Sequence, residues 1–208
     1  MLRPLCAALI LCAALTACGD GGPDGDAAVR ATTTPTDNVP PPRAEPQPLA
    51  GGAMTVRLST GATRILDYAG VRLSTTGAAD GRGRELSFPI TRGRLAVAPA
   101  AGEIELGGGL RISTRDDQVD VTALRVVPAQ EVVTAVVEGR RVPLLRFKLR
   151  YPDALPAAGE PFTAMGTTSV VGDRALERLG AEFGVDILRD GLPLGSMKII
   201  ALVGPDRE

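Results

Sequence analysis

Histidine and tryptophan are absent from the sequence of 208 residues, and aromatic residues make up only 3% of it. Without histidine, no Ser-His-Asp or Cys-His catalytic arrangement can form. Histidine-ligated haem is excluded for the same reason. These absences exclude more chemistries than any motif in the sequence suggests, so the composition assigns no specific activity.

Charges of the two signs are nearly balanced, with 23 Lys and Arg residues against 24 Asp and Glu residues and a net charge of −1. Lysine is scarce, since Lys148 and Lys198 are the only two in the sequence. A strongly basic nucleic-acid-binding protein is therefore excluded, and we expect no nucleic acid among the partners.

The first 17 residues have the pattern of a secretory signal. Arg3 supplies a positive charge, and an apolar run interrupted only by Thr16 extends from Leu5 to Ala17. Such a run suits the apolar core of a signal peptide and falls short of the ~20 residues that a membrane-spanning helix needs. We expect residues 1–17 to be removed from the mature protein.

The apolar run ends in Leu15-Thr16-Ala17-Cys18, which resembles the lipobox of bacterial lipoproteins. The resemblance implies cleavage just before Cys18 and lipidation of its sulfur by a diacylglyceryl group carrying palmitate-type chains. Two acyl chains hold a protein stably on a bilayer. The expected location is the extracytoplasmic face of the cell membrane, and the alternative is an ordinary signal peptide with a chance cysteine.

All cysteines lie in this N-terminal segment. Cys6 and Cys12 would leave with the signal peptide, and Cys18 would carry the lipid, so the mature fold would contain no disulfide. The usual zinc sites draw on cysteine and histidine, and both would be missing. We expect neither a metal nor a cofactor.

Residues 18–53 combine the lipid-bearing cysteine with a segment rich in proline and glycine. The Pro40-Pro41-Pro42 step favours extended polyproline II geometry, and the segment has too few apolar residues to form a core. A flexible chain of this length spans roughly 30–35 Å. The sequence predicts a disordered tether that holds the following domain away from the bilayer.

Residues 54–208 are predicted to form a single β-rich domain, because apolar and polar residues alternate along most of this segment. The alternation from Ile104 to Ile112 indicates one half-buried strand, and a second strand would point Val119, Val121 and Ala123 inward. The segment Glu138-Gly139-Arg140-Arg141 is typical of a hairpin turn, here between strands Val132–Val137 and Val142–Leu149. Further predicted strands are Thr55–Ser59, Val71–Thr75, Leu86–Ile90, Arg94–Val97, Thr163–Val171 and Ser196–Val203, with bulges or edges expected at Pro89 and Pro143.

A first short helix is predicted where Ala62, Ile65, Leu66 and Ala69 recur at helical spacing before Gly70. The glycine would end the helix in the left-handed conformation, and the chain would continue directly into a strand.

A second short helix is predicted between Asp173 and Gly184, with Leu176, Leu179 and Phe183 on its apolar face. The expected fold class is mainly β with two short helices (α+β). Its sheet would be an antiparallel sandwich or an open barrel.

Few groups of residues suggest a chemical site. Ser196 and Lys198 share one face of a predicted strand, whereas serine-lysine acyl enzymes need helical spacing. The acidic residues Asp116, Asp117 and Asp120 could bind a cation or act as acid and base, but a hairpin turn is the better account of them. We expect no catalytic residues.

Two flexible segments offer anion-binding alternatives. Gly107-Gly108-Gly109 lacks the following lysine and helix of a phosphate-binding loop, which favours a bulge or close strand packing. The loop from Gly77 to Arg84 presents Arg82 and Arg84, which could contact a phosphate or an acidic glycan, but a mobile, solvated loop is the better account.

The segment from Leu86 to Leu149, with its Gly and apolar spacing around Gly102-Glu103-Ile104 and Val119-Asp120-Val121, resembles the β-rich repeat of HtaA-type haem-uptake domains. The resemblance implies a β architecture and, in that family, haem capture through tyrosine and histidine. This sequence has no histidine, and its two tyrosines, Tyr68 and Tyr151, lie outside any motif of that family.

The function that best fits these observations is a non-enzymatic surface lipoprotein that presents a β-rich interaction domain to an envelope component or a protein partner. A carrier for a hydrophobic ligand, such as a lipid or haem, is the alternative, because the aliphatic strands could line a barrel mouth. An enzyme using carboxylates alone is a third reading. The sequence leaves the oligomeric state open.

Overall fold

A computed structural model of the protein describes residues 45–172, 180 and 190–205. Cys18 and, except for residue 180, the second predicted helix lie outside these residues. The elements are β1 (Gln47–Leu58), α1 (Thr60–Tyr68), β2 (Arg72–Thr76), β3 (Asp80–Arg82), β4 (Glu85–Val97), β5 (Ala100–Leu106), β6 (Gly109–Ser113), β7 (Gln118–Val127), a 3-10 turn (Pro128–Gln130), β8 (Val132–Val137), β9 (Arg140–Arg150), β10 (Pro161–Val170) and β11 (Pro193–Val203).

The strands form an antiparallel barrel rather than the sandwich or open barrel that the sequence predicts. Eight strands pair in the order β7-β5-β4-β1-β11-β10-β9-β8, and the pairing of β8 with β7 closes the ring. β6 pairs with β7 outside the ring and carries β2, while β3 pairs with β4. The mainly β class is confirmed, and closure is the correction, since every ring strand has a partner on both sides.

The barrel has two distinct ends. β1 starts at Gln47 and leads into α1, so we name the two ends the Gln47 end and the α1 end. Because neighbouring strands are antiparallel, β10 also finishes at the α1 end, whereas β9 and β11 finish at the Gln47 end. The chain that precedes β1 therefore joins the barrel opposite α1.

α1 has a capping residue at its N-terminus and a glycine stop signal at its C-terminus. Ser59 precedes the helix, and its hydroxyl accepts a hydrogen bond from the Ala62 amide at 3.0 Å. At the other end Gly70 takes a positive φ, while the Val71 amide donates to the Leu66 carbonyl and the Gly70 amide to the Asp67 carbonyl. This is the Schellman arrangement that the sequence predicts from Gly70.

β1 begins earlier than predicted, because residues 47–53, assigned to the tether from sequence, belong to this strand. Gly51 and Gly52 both have φ values between 119° and 142°, which only glycine adopts easily. A Cβ at Gly52 would collide with the Ile200 carbonyl on β11. The glycines that resemble a linker thus allow close contact between the first and last strands.

The alternation between Ile104 and Ile112 belongs to two strands instead of one. The chain turns at Gly108, whose φ is +76°, and β7 lies between β5 and β6 in the sheet. Ala123, predicted to point inward, is exposed because a bulge with φ +47° places it beside the exposed Thr122. The alternation then resumes with Leu124 buried.

The β8–β9 hairpin is confirmed, with Glu138 and Gly139 both at positive φ in a two-residue turn. Pro143 lies beside a register shift in that hairpin, and Pro89 lies beside one in the pairing of β4 with β5. Both prolines are therefore tolerated at bulges, as the sequence indicates.

The barrel interior forms one continuous apolar core. Among the largest fully buried side chains are Met54, Leu95, Ile104, Phe147 and Ile199. They come from strands all around the ring, so the core depends on ring closure. Thr168 is the buried polar residue of the described chain, and its hydroxyl donates to the Arg146 carbonyl.

Candidate functional site

An apolar opening lies inside the α1 end of the barrel. It encloses about 70 Å³, and its lining consists entirely of apolar residues from α1 and from strands around the barrel. The lining includes Leu66 of α1, Leu73 of β2 and Phe88 of β4. This arrangement can accept an apolar group and offers no polar chemistry.

α1 covers this opening with few side chains. Ala62 is its buried residue and Leu66 is half-buried, whereas Ile65 is 37% exposed. Tyr68, at the last turn, is 97% exposed. These two residues add exposed apolar surface next to the opening.

Two contacts hold α1 over the barrel. The Arg84 guanidinium donates to the Thr60 hydroxyl at 2.6 Å, and the Ser59 amide donates to the Leu194 carbonyl at 2.7 Å. Arg84 is one of the two arginines considered above for anion binding. Its neighbour Arg82 lies 3.3 Å from the Asp80 carboxylate within β3. The structure thus gives both arginines partners within the protein.

The opening is small compared with typical ligand sites. Pockets that bind drug-sized ligands hold roughly 300–1,000 Å³. A space of about 70 Å³ suits one side chain or a small apolar molecule. A larger ligand requires α1 to move outward, and the sparse packing of this helix makes it the element that can do so.

A network of ion pairs covers the outer face of β4, β5 and β7. Glu105 contacts both Arg92 and Arg125, and Arg125 also donates to Glu103 at 2.9 Å. The hydrogen bond from Arg92 is the main reason that the pKa of Glu105 lies below its ordinary value. Arginine thus neutralises these carboxylates.

The acidic residues Asp116, Asp117 and Asp120 do not form a common site, and the turn that the sequence favours is observed at the first two. Asp116 and Asp117 lie in the exposed turn between β6 and β7, where the Thr114 amide donates to the Asp117 carbonyl. Asp120 lies on β7 and pairs with Arg111 on β6 at 2.6 Å. The hydrogen bond from Arg111 keeps the pKa of Asp120 below its ordinary value. Among the described residues, no group of acidic side chains is placed to hold a metal ion.

The two remaining motifs are parts of strands. Ser196 and Lys198 both lie on β11, and no hydrogen bond connects them within the described chain. Gly107 and Gly108 form the turn between β5 and β6, and a Cβ at Gly109 would lie 2.5 Å from the Val121 carbonyl. Close strand packing therefore accounts for the glycines, as the sequence favours.

The two tyrosines lie at opposite ends of the barrel. Tyr68 is on α1, and Tyr151 follows β9 at the Gln47 end. The Tyr151 hydroxyl is buried and has no hydrogen-bond partner among the described residues. Burial, with a smaller effect of Glu131, raises the pKa of Tyr151 to about 12. Sequence patterns place Tyr151 at a strand end but give no sign that its hydroxyl is buried.

We expect a Tyr68→Phe variant, in which Tyr151 is the only tyrosine, to titrate with a midpoint near pH 12 in the tyrosinate absorbance. The pKa of Tyr151 is raised above the unfolded value of ~10, so the unfolded state loses its phenol proton at a lower pH than the folded state. The free energy of unfolding is therefore unaffected by this ionisation below pH ~10 and decreases as the pH rises towards 12. Tyr151→Phe should therefore lose less stability across that range. It should also be up to ~1 kcal/mol more stable at neutral pH, because an unpaired hydroxyl is removed. A midpoint near 10 while circular dichroism still shows a folded protein would contradict the burial.

Within the described residues, no helix is both long and apolar enough to cross a bilayer. Cys18 and the signal segment lie outside those residues, and so the lipobox interpretation stays a prediction.

No family model matches the sequence, and no curated protein matches it. Among solved structures, the chain matches the crystal structure of the C-terminal domain of HtaA from Corynebacterium glutamicum with a TM-score of 0.55. The match covers 76% of this chain and 99% of that chain, at 12% sequence identity. The barrel is similar in fold to that HtaA domain.

The HtaA-like fold extends beyond the segment from Leu86 to Leu149 that carries the sequence resemblance, because the structural match covers 76% of the chain. The β architecture implied by the resemblance is thereby supported. At 12% identity the likeness concerns the fold alone.

Proposed function

We propose that the protein is a non-enzymatic, lipid-anchored surface lipoprotein whose barrel binds an apolar group of a partner at its α1 end. The observation that carries the proposal is the wholly apolar opening beneath α1. The exposed Ile65 and Tyr68 on the same helix would extend the contact surface beyond the opening.

The direction of the chain fits this role. The predicted tether joins the barrel at the Gln47 end, opposite α1. An anchor at Cys18 would therefore leave the α1 end accessible to a component of the cell envelope. The absence of histidine from the sequence and the pairing of Glu105 and Asp120 with arginines support a role without catalysis.

A carrier for a hydrophobic ligand is the second candidate, and the sparse packing of α1 favours it. An outward shift of Leu66 would enlarge the opening without breaking the ring of strands. A lipid is the better candidate ligand than haem, because the sequence has no histidine and its two tyrosines lie at opposite ends of the barrel.

We expect small apolar molecules to raise the melting temperature of the purified full-length protein. Graded probes, from xenon through benzene to a long-chain fatty acid, should be compared in thermal unfolding. A probe at about ten times its dissociation constant should stabilise the protein by ~1.4 kcal/mol, which corresponds to a rise of ~3–5 °C. Binding of xenon and benzene alone would favour the interaction module, and binding of the fatty acid would favour the carrier.

The matched control uses two neighbouring positions on α1. Leu66→Phe adds volume inside the opening and should abolish the shift, whereas Ile65→Phe adds the same group at an exposed position and should preserve it. Each variant is compared with its own probe-free melting temperature. Equal shifts in both variants, or no shift with any probe in the original protein, would refute binding at the α1 end.

A further inference from the structure

The outer surface of β9, β10 and β11 is basic, whereas β4, β5 and β7 carry acidic residues. These three strands contain no Asp or Glu. The outward positions of β9 and β11 carry Arg146, Lys148, Arg150 and Lys198, which include both lysines of the sequence. None of the four forms an ion pair within the described residues, in contrast to the arginines paired on β4, β6 and β7. We call this surface the β9–β11 face.

The β9–β11 face also carries exposed apolar side chains. Met165 is 57% exposed, and Ile200 and Leu202 are each 41% exposed. Ile200 and Leu202 lie two residues apart on β11 and therefore point the same way. They account for most of the large apolar residues that the described chain exposes, the others being Ile65 and Tyr68 on α1.

Strand pairing places the cations directly beside the apolar residues. Met165 on β10 is opposite Arg150 on one side and Lys198 on the other. The nearest acidic residues along the chain, Asp153 and Glu160, lie in the loop between β9 and β10. A surface that combines cations with apolar side chains is complementary to the headgroup region of an anionic bilayer.

This face borders the start of β1, where the predicted tether enters the barrel, and this fits the same partner. Leu202 is opposite Gly51 of β1 and Pro161 of β10, close to the point where the tether joins the barrel. The tether predicted from the sequence would span roughly 30 Å, which would allow the barrel to lie sideways against the bilayer. Since the anchor keeps the local concentration of lipid high, even weak contacts suffice.

We propose that the β9–β11 face docks on the anionic surface of the bilayer that carries the lipid anchor. The proposal rests on the anchoring at Cys18 proposed above. In the docked orientation the apolar side chains of β11 enter the headgroup region, and Lys148, Arg150 and Lys198 contact lipid phosphates. The α1 end stays accessible beside the membrane.

The test exploits the absence of tryptophan from the sequence. The acylated full-length protein carrying Met165→Trp is reconstituted into vesicles of phosphatidylcholine, with or without phosphatidylglycerol, that contain brominated lipid as a quencher. Thr122→Trp, at an exposed position on the far side of the ring, is the matched control. We expect the Met165→Trp fluorescence to be quenched about threefold more strongly in anionic vesicles, and this difference to disappear at high salt. Thr122→Trp should show no such difference.

Charge variants test the cations directly. Lys148→Glu combined with Lys198→Glu should abolish the extra quenching, whereas Arg64→Glu combined with Arg72→Glu, which changes net charge equally at the α1 end, should preserve it. Circular dichroism verifies folding, and Lys148→Gln with Lys198→Gln replaces the glutamate pair if that pair fails to fold.

Two results would overturn the docking. Quenching that is equally weak in anionic and neutral vesicles and falls further as protein density rises would identify a second copy of the chain as the occupant. No quenching, while intact mass shows the acyl chains in place, would refute the docking and leave the anchor standing. If intact mass shows no acylation, the anchoring proposal fails, but the docking proposal is not thereby refuted. Sedimentation of the same protein with preformed anionic vesicles then decides whether the β9–β11 face binds lipid.

Discussion

A Cys18→Ser variant is expected to lose acyl labelling completely when cells are grown with a clickable palmitate analogue. The thiolate is the nucleophile that accepts the diacylglyceryl group, and a serine hydroxyl at the same position is a far weaker one. The original protein should have an intact mass that corresponds to a chain beginning at Cys18 with its lipid. The variant should keep its first 17 residues, because the predicted processing requires the modified cysteine.

Cys6 and Cys12 provide the matched controls for this experiment, because both lie in the same apolar run. Cys6→Ser and Cys12→Ser should be labelled and processed like the original protein. Labelling of the Cys18→Ser variant, or a mature chain that begins elsewhere, would refute the lipobox interpretation and with it the proposed location.

Gly52→Ala should destabilise the barrel by ~3 kcal/mol or more, which would lower the melting temperature by ~6–12 °C. The new Cβ would collide with the Ile200 backbone on β11, and the φ of +119° would strain any residue other than glycine. This contact lies in the seam between the first and last strands, so a local shift cannot relieve it without disturbing the ring.

Gly51→Ala separates the two causes in the Gly52 prediction. Gly51 has a similarly unusual φ of +142°, but no atom lies within 4 Å of its added Cβ. Backbone strain alone should cost ~1–2 kcal/mol at this position. Urea denaturation of both variants gives the difference. Equal losses of stability at the two glycines would show that close packing against β11 is unimportant.

Local signals in the sequence were sufficient for the elements that local interactions determine. Gly70 ends α1 because a residue with positive φ is required there, and Glu138-Gly139 turns the chain between two valine-rich strands. In both places a short segment contains the turn residue and the apolar pattern that flanks it. Such signals do not depend on tertiary contacts with the rest of the chain.

The start of β1 and the bulge at Ala123 depend on pairing between strands that are distant in the sequence, so local patterns do not predict them. The start of β1 contains Pro48, Gly51 and Gly52, which are typical of a linker when they are considered alone. They belong to a strand because β4 and β11 supply partners on both sides. The bulge at Ala123 likewise follows from the pairing of β7 with β8, which closes the ring.

The candidate site was foreseeable only in part. The helical spacing of Leu66 predicts an apolar face, but the space beneath it depends on residues from Met54 to Leu194 that are distant in sequence. The β9–β11 face was not foreseen, because Lys148, Met165 and Lys198 belong to three strands whose register no local pattern specifies. Conversely, the acids at 116–120 looked clustered in sequence, and the structure separates them.

Ring closure also affects how readily copies of this protein would aggregate when they are crowded on a membrane surface. Among the described strands, only β2 and β3 pair on one side, and they have five and three residues. Short edges offer few unpaired backbone groups as a template for intermolecular sheet formation. If the protein is anchored as proposed, a dense layer of copies should therefore resist aggregation, since the backbone amides of the described strands that could join one barrel to another are nearly all engaged within each barrel.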